Sequence, residues 1–325
     1  MVRPSLTRRT LAGLGAAGLL AGPRALANIA QSTGSRLVRD EELPYEAPAT
    51  LALISDLYSR MNAQLMVQGK GPFAFVVDTG ANQSVISAEL AHRLELPLGP
   101  SRQLNGVAGV SPAATVVADL TIGKRVRREV TLFVLPAAAI GGDGMLGLDG
   151  LEGQRLELDF RAQTMHIEAA GRKTFGPSSV AVRSRRRDGQ LTLVDADVAG
   201  ISVTAFIDSG AQNTIGNLAL QRLARARRPT DLWESHSIIS VTGQTIEAQI
   251  AALPHFRIGG LTLPFWPVAF ADLHTFQMWK LSDIPAILVG VDVLSRFEQV
   301  SLDFAHDEVR FTPPNQGRMI YRSMS

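Results

Sequence analysis

Phe73-Ala74-Phe75-Val76-Val77-Asp78-Thr79-Gly80-Ala81-Asn82-Gln83-Ser84-Val85 decides how this chain is read, because the pattern occurs again 130 residues later. The second copy is Val203-Thr204-Ala205-Phe206-Ile207-Asp208-Ser209-Gly210-Ala211-Gln212-Asn213-Thr214-Ile215. Each copy is an apolar run, an acid, a hydroxyl residue, Gly, Ala, two amides, a second hydroxyl and a β-branched residue. The apolar runs predict buried strands. An acid at the end of a buried strand is costly unless it has a partner or a task. One copy alone reads as a strand ending in a turn, since Asp-x-Gly is common turn chemistry. Two copies predict two carboxylates, one from each half of a repeat, that meet and share a proton.

The repeat extends beyond this stretch. Met145-Leu146-Gly147-Leu148-Asp149-Gly150-Leu151 returns as Leu288-Val289-Gly290-Val291-Asp292-Val293-Leu294. Leu156-Glu157-Leu158-Asp159-Phe160 returns as Val300-Ser301-Leu302-Asp303-Phe304. The growing spacing predicts extra loop residues in the second unit, around 225–234 and 271–283. Asp159 and Asp303 each alternate with apolar residues in a strand, so they read as solvent-facing or structural acids rather than catalytic ones. Within a unit, a short helix should follow the triplet. Ser87 is the candidate N-cap for residues 88–94, which Pro97 ends, and residues 218–226 are the counterpart. Asn105-Gly106 and Thr242-Gly243 suit hairpin tips, and Ile122-Gly123 and Ile258-Gly259-Gly260 mark further turns. Many short strands with one short helix per unit predict an all-β pair of lobes rather than a βαβ architecture.

The expected organisation is a first lobe over 51–169, a linker over 170–190 and a second lobe over 191–313. Residues 28–50 form an N-terminal extension and 314–325 a polar tail. Residues 1–27 read as an export signal. Arg8-Arg9 precede a short apolar stretch and Ala25-Leu26-Ala27 is a small-residue cleavage site, resembling a twin-arginine leader. The stretch is too short and too rich in glycine for a spanning helix, so any membrane association would come through an uncleaved signal. The expected location is periplasmic or secreted.

Hydrophobic residues at 46% and charged residues at 19% describe a globular chain. Its basic excess sits in the leader: without Arg3, Arg8, Arg9 and Arg24, 28 Lys and Arg face 30 acids, a formal charge of −2. Nucleic acid is therefore not an expected partner, and Arg183, Arg185, Arg186 and Arg187 read as a solvated face between domains. The absence of cysteine excludes thiol nucleophiles, thiolate metal sites and disulfides. The six histidines show no ligand spacing, and no metal or cofactor is expected. Gly142-Asp143-Gly144-Met145-Leu146-Gly147 matches a dinucleotide fingerprint only formally, because no helix has room to open there. The tryptophans, Trp233, Trp266 and Trp279, read as packing residues.

Phe75-Val76-Val77-Asp78-Thr79-Gly80-Ala81 resembles the active-site segment of retropepsin-like aspartic proteases, and Phe206-Ile207-Asp208-Ser209-Gly210-Ala211 resembles it again. Met145-Leu146-Gly147 and Leu288-Val289-Gly290 are similar to the family's second signature. The resemblance spans residues 60–312 and its elements occur in the same order twice. It implies two retropepsin-like β-barrel lobes in a pseudo-twofold pair and a catalytic dyad of Asp78 and Asp208. Thr79, Gly80, Ser209 and Gly210 would support the two loops. Gly106, Gly109 and Gly243 would lie in flaps closing over a peptide or protein substrate. With both aspartates in one chain, a monomeric endopeptidase follows. Two other readings stand beside it: a non-catalytic peptide-binding protein on the same scaffold, and a protease that pairs lobes between chains.

Overall fold

A computed structural model describes residues 62–106, 109–171, 174–187, 190–193, 195–228, 233–239, 245–314 and 321–322. The leader, the extension and Gly243 lie outside the described residues. The first lobe has β1 (Asn62–Val67), β2 (Lys70–Val77), β3 (Val85–Ser87), β4 (Gly99–Gly106), β5 (Gly109–Ile122), β6 (Arg125–Leu135) and β7 (Gly144–Leu146). Two further strands follow, β8 (Gln154–Asp159) and β9 (Thr164–Ala169). The alternation is direct: Ala63, Leu65 and Val67 face inward on β1 while Gln64 faces out. The sheet runs β1-β2-β7-β3-β6-β5-β4, and β1 also pairs with β5, which closes it into a barrel.

The second lobe has β10 (Val180–Arg187), β11 (Gln190–Leu193), β12 (Ala196–Val198), β13 (Ile201–Ser202), β14 (Thr204–Ile207) and β15 (Ile215–Gly216). It continues with β16 (Glu234–Ile239), β17 (Thr245–Ile258), β18 (Leu261–Ala271), β19 (Ala286–Val289), β20 (Gln299–Asp303), β21 (Glu308–Thr312) and β22 (Tyr321–Arg322). Its central order β14-β19-β15-β18-β17 repeats β2-β7-β3-β6-β5, with the same parallel and antiparallel senses. The fold is all-β, two retropepsin-like lobes in tandem. The parallel pairs β2–β7 and β14–β19 arise where β7 and β19 each insert between two earlier strands.

The lobes are joined by backbone. β8 of the first half pairs antiparallel with β20 of the second, placing Leu156 opposite Leu302 and Leu158 opposite Val300. All four side chains are buried in one apolar core that runs through both lobes. Full burial of each such side chain contributes about 1.5–3 kcal/mol, so the lobes fold against one another.

Three expectations need correction. The stretch expected as a linker, 170–190, contains β10, which pairs with both β11 and β21. Val182 packs into the core while Arg183 and Arg185 face out, a strand alternation that the flanking Gly and Pro residues obscured. The polar tail contributes β22, which pairs with β18. Each lobe also has more than one short helix. Beside Ala88–Arg93 and Leu218–Arg227 there are single turns at Ala137–Ile140, Leu148–Leu151, His274–Met278 and Val291–Leu294. Such short turns form where tertiary packing holds them, since they are below the length at which propensity acts alone. The cap at Ser87 is as expected: its Oγ accepts from Leu90 N at 3.0 Å. Asn217 caps the second helix through Leu220 N at 2.9 Å.

Candidate active site

The two triplets leave the ends of β2 and β14, and each is seated on the strand beside it. Asp78 N donates to Leu146 O at 2.9 Å and Asp208 N to Val289 O at 3.0 Å. The chain then turns back, because Asp78 Oδ1 accepts from Gly80 N at 2.8 Å and Ala81 N at 3.1 Å. In the second lobe, Asp208 Oδ1 accepts from Gly210 N at 2.9 Å and Ala211 N at 3.0 Å. One oxygen of each acid thus organises its own loop.

The loops grip each other. Thr79 N donates to Ser209 Oγ at 3.1 Å, and Ser209 N donates to Thr79 Oγ1 at 2.9 Å. Each hydroxyl spends its proton across the boundary, Thr79 Oγ1 on Ile207 O and Ser209 Oγ on Val77 O, both at 2.9 Å. The glycines permit this approach. A Cβ on Gly80 would overlap the Asp208 carboxylate, and one on Gly210 would overlap that of Asp78.

Both acids are buried, Asp78 at 0% and Asp208 at 2% exposure. Burial is the largest influence on each and pushes both carboxyls up. The Asp208 charge raises Asp78 further, well above the ordinary carboxylate range. Asp208 is raised to about 6, held back by the N–H groups of Gly210 and Ala211. Asp78 Oδ2 meets no donor among the described residues. A proton on Asp78, directed to Asp208, resolves that contact. Burial of both carboxyls and the charge of Asp208 beside Asp78 thus favour a proton on the pair.

Asp78, Thr79, Gly80, Asp208, Ser209 and Gly210 are brought together. Gly106 and Gly109 pair with each other at the β4–β5 hairpin and take no part in these hydrogen bonds. Three further groups abut the loops. Ser84 Oγ donates to Asp149 Oδ1 at 2.6 Å, and Thr214 Oγ1 to Asp292 Oδ1 at 2.7 Å. Gln190 Nε2 reaches from the second lobe to Gly80 O at 3.2 Å and Asn82 Oδ1 at 3.1 Å. The signal for the first two was present, because Asp149 and Asp292 recur beside the repeated glycines. Gln190 has no such counterpart. Asp303 is a structural acid: it is buried against Arg155, 2.7 Å away. Asp159 caps a turn through Ala162 N at 2.7 Å. Gly147 N donates to Ser84 Oγ rather than facing a phosphate site. Among the described residues, no group of three or more His, Asp or Glu side chains is placed to hold a metal ion.

A family model described as aspartyl protease matches residues 63–149 and 194–293, one match on each lobe. No curated protein matches the chain.

Proposed function

The chain belongs to the aspartyl protease family, and from that premise we propose that it is a single-chain endopeptidase whose dyad is Asp78 and Asp208. The supporting observation is the paired grip of Thr79 and Ser209, which holds one buried carboxylate from each lobe against the other's glycine. Ionised Asp208 takes a proton from a water as its oxygen adds to the scissile carbonyl carbon. Asp78 gives its proton to the carbonyl oxygen. The C–N bond then breaks, the proton on Asp208 passes to the leaving amine, and Asp78 recovers its own from the gem-diol. No covalent intermediate is needed, and burial keeps one acid protonated where two exposed carboxyls would both ionise.

The test is cleavage of an unstructured protein such as casein by the chain and by Asp78→Asn and Asp208→Asn. Each substitution should abolish turnover while leaving a folded protein. Full activity in either variant would overturn the shared dyad. Binding of a statine-type peptide without cleavage would favour the non-catalytic reading. Light scattering on the active species should give a monomer, and an obligate dimer would favour pairing of lobes between chains. Gly106, Gly109 and Gly243 are proposed to lie in flaps over the substrate. Export through residues 1–27 is checked by replacing Arg8-Arg9 with lysines and fractionating the host, where retention in the cytoplasm is expected.

A further inference from the structure

Beneath each catalytic loop lies a second acid that is hydrogen-bonded to a hydroxyl residue of its own lobe. In the first lobe, Asp149 receives two hydrogen bonds from one residue: Ser84 N to Oδ2 at 3.2 Å and Ser84 Oγ to Oδ1 at 2.6 Å. In the second, Asp292 Oδ1 accepts from Thr214 Oγ1 at 2.7 Å and Val293 N at 2.8 Å, and the Thr214 N–H also points to its carboxylate. A hydroxyl has one proton. Once it is given to the acid, the hydroxyl oxygen must accept. It accepts the N–H of the signature glycine, Gly147 N to Ser84 Oγ at 3.0 Å and Gly290 N to Thr214 Oγ1 at 3.1 Å. Those glycines lie close against the loops: a Cβ on Gly290 would come within 2.6 Å of Asn213 C, and one on Gly147 within 2.8 Å of Gln83 C.

The loop from Asp208 to Thr214 is therefore fastened along its length. Asp208 N is held by Val289 O at 3.0 Å, Ala211 O by Val291 N at 2.8 Å and Gln212 O by Asp292 N at 3.1 Å. Thr214 closes the far end through Gly290 and Asp292. We propose, resting on the proteolytic reading of Asp78 and Asp208, that Asp149 and Asp292 are positioning residues that set the dyad geometry through Ser84 and Thr214. An aspartate suits this position and an asparagine does not. The facing residue presents two donors, its N–H and its O–H, and only a carboxylate offers two acceptor oxygens. An amide would turn an NH2 towards one of those donors.

The acid in the second lobe also costs stability. Asp292 is buried at 7% exposure, and burial, the largest influence, raises its carboxyl to about 6 despite the bonds from Thr214 and Val293 and the nearby charge of Arg296. Ionising it in place works against folding. That the same bracket occurs in both lobes fits a role in holding the loop rather than in holding the fold.

The experiment compares Thr214→Val, Thr214→Ser and Asp292→Asn in the full chain. Thr214→Val and Asp292→Asn should lower kcat about tenfold with KM within about twofold, since misplacing the dyad affects the reacting geometry more than peptide binding. Thr214→Ser keeps the hydroxyl and should retain kcat within about twofold. Amide exchange at Gly210 and Ala211, whose N–H groups hold Asp208, should speed up in the first two variants and not in Thr214→Ser. If Thr214→Val does not fold, Asp292→Asn, which leaves side-chain size unchanged, carries the comparison. Unchanged kcat and unchanged exchange in Asp292→Asn would overturn the proposal. So would an equal loss in Thr214→Ser. If the parent chain cleaves nothing, the proteolytic reading fails, and exchange at Gly210 and Ala211 still decides whether the acid holds the loop.

Discussion

Thr79 and Ser209 each accept the other's backbone N–H on the hydroxyl oxygen and each give the hydroxyl proton to a carbonyl of the opposite lobe. Four buried hydrogen bonds thus depend on two side chains. Ser209→Ala should leave Thr79 N and Val77 O unpaired, at a cost of about 2–4 kcal/mol. Urea unfolding of the variant measures this, with Ser209→Thr as the control that keeps the hydroxyl. A loss under about 1 kcal/mol would mean that water replaces the grip.

Gly80 and Gly210 should not tolerate alanine. The added methyl group would occupy the volume of the opposite carboxylate, so Gly80→Ala must displace Asp208. Activity should fall by about a hundredfold or more. Casein cleavage by Gly80→Ala, measured on protein shown to be folded, tests this. Wild-type turnover would contradict the close approach of the loops.

Stability should fall as pH rises through the weakly acid range. Asp78, Asp208 and Asp292 all have raised carboxyls, chiefly through burial. The folded chain then binds protons more tightly than the unfolded chain, in which Asp titrates near 3.9. That contribution is complete at low pH and is lost as pH climbs through about 6, the value for Asp208 and Asp292. Tm should be higher at pH 5 than at pH 7.5, and Asp208→Asn should narrow the gap. An unchanged gap in Asp208→Asn would refute the assignment.

The buried ion pair between lobes should behave in the opposite sense. Burial works upward on Asp303, but the hydrogen bonds from His306 and Arg155 outweigh it and hold its carboxyl below the ordinary value. Its contribution is present above about pH 4 and is lost as pH falls through the folded value. Arg155 and Asp303 are 6% and 7% exposed, and without Asp303 the Arg155 guanidinium keeps only Gly171 O at 2.7 Å and the half-exposed Glu168 at 3.6 Å. Asp303→Asn should cost about 3 kcal/mol at neutral pH by chemical denaturation. Replacing both with apolar residues should recover part of that loss, and failure to recover any would show that the pair is worth more than its burial costs.

Much of this architecture is legible in the residues. The duplicated triplet announces two equivalent acids, Ser87 announces a helix start, and the glycines of Ile122-Gly123 and Ile258-Gly259 mark turns between long strands. Gly123 and Gly259 have φ of +59° and +56°, a backbone region that favours glycine. These features are local, so a short window contains both cause and effect. The strand Val180–Arg187 was hidden for the converse reason. Its arginines and flanking glycines read as a linker, and only β21 and β11 on its two sides supply the pairing that makes it a strand.

The sequence by itself determined that the chain has two like halves, that each ends a buried strand in Asp-hydroxyl-Gly, and that no thiol chemistry is open to it. Only the tertiary structure decided which groups answer the other buried acids. Ser84 meets Asp149, Thr214 meets Asp292 and Arg155 meets Asp303 across 65, 78 and 148 residues of chain. Spacing in a sequence encodes the period of a strand or the cap of a helix. It does not encode which distant surface will exclude water from a carboxylate, and that exclusion sets both the cost of each buried acid and its proton.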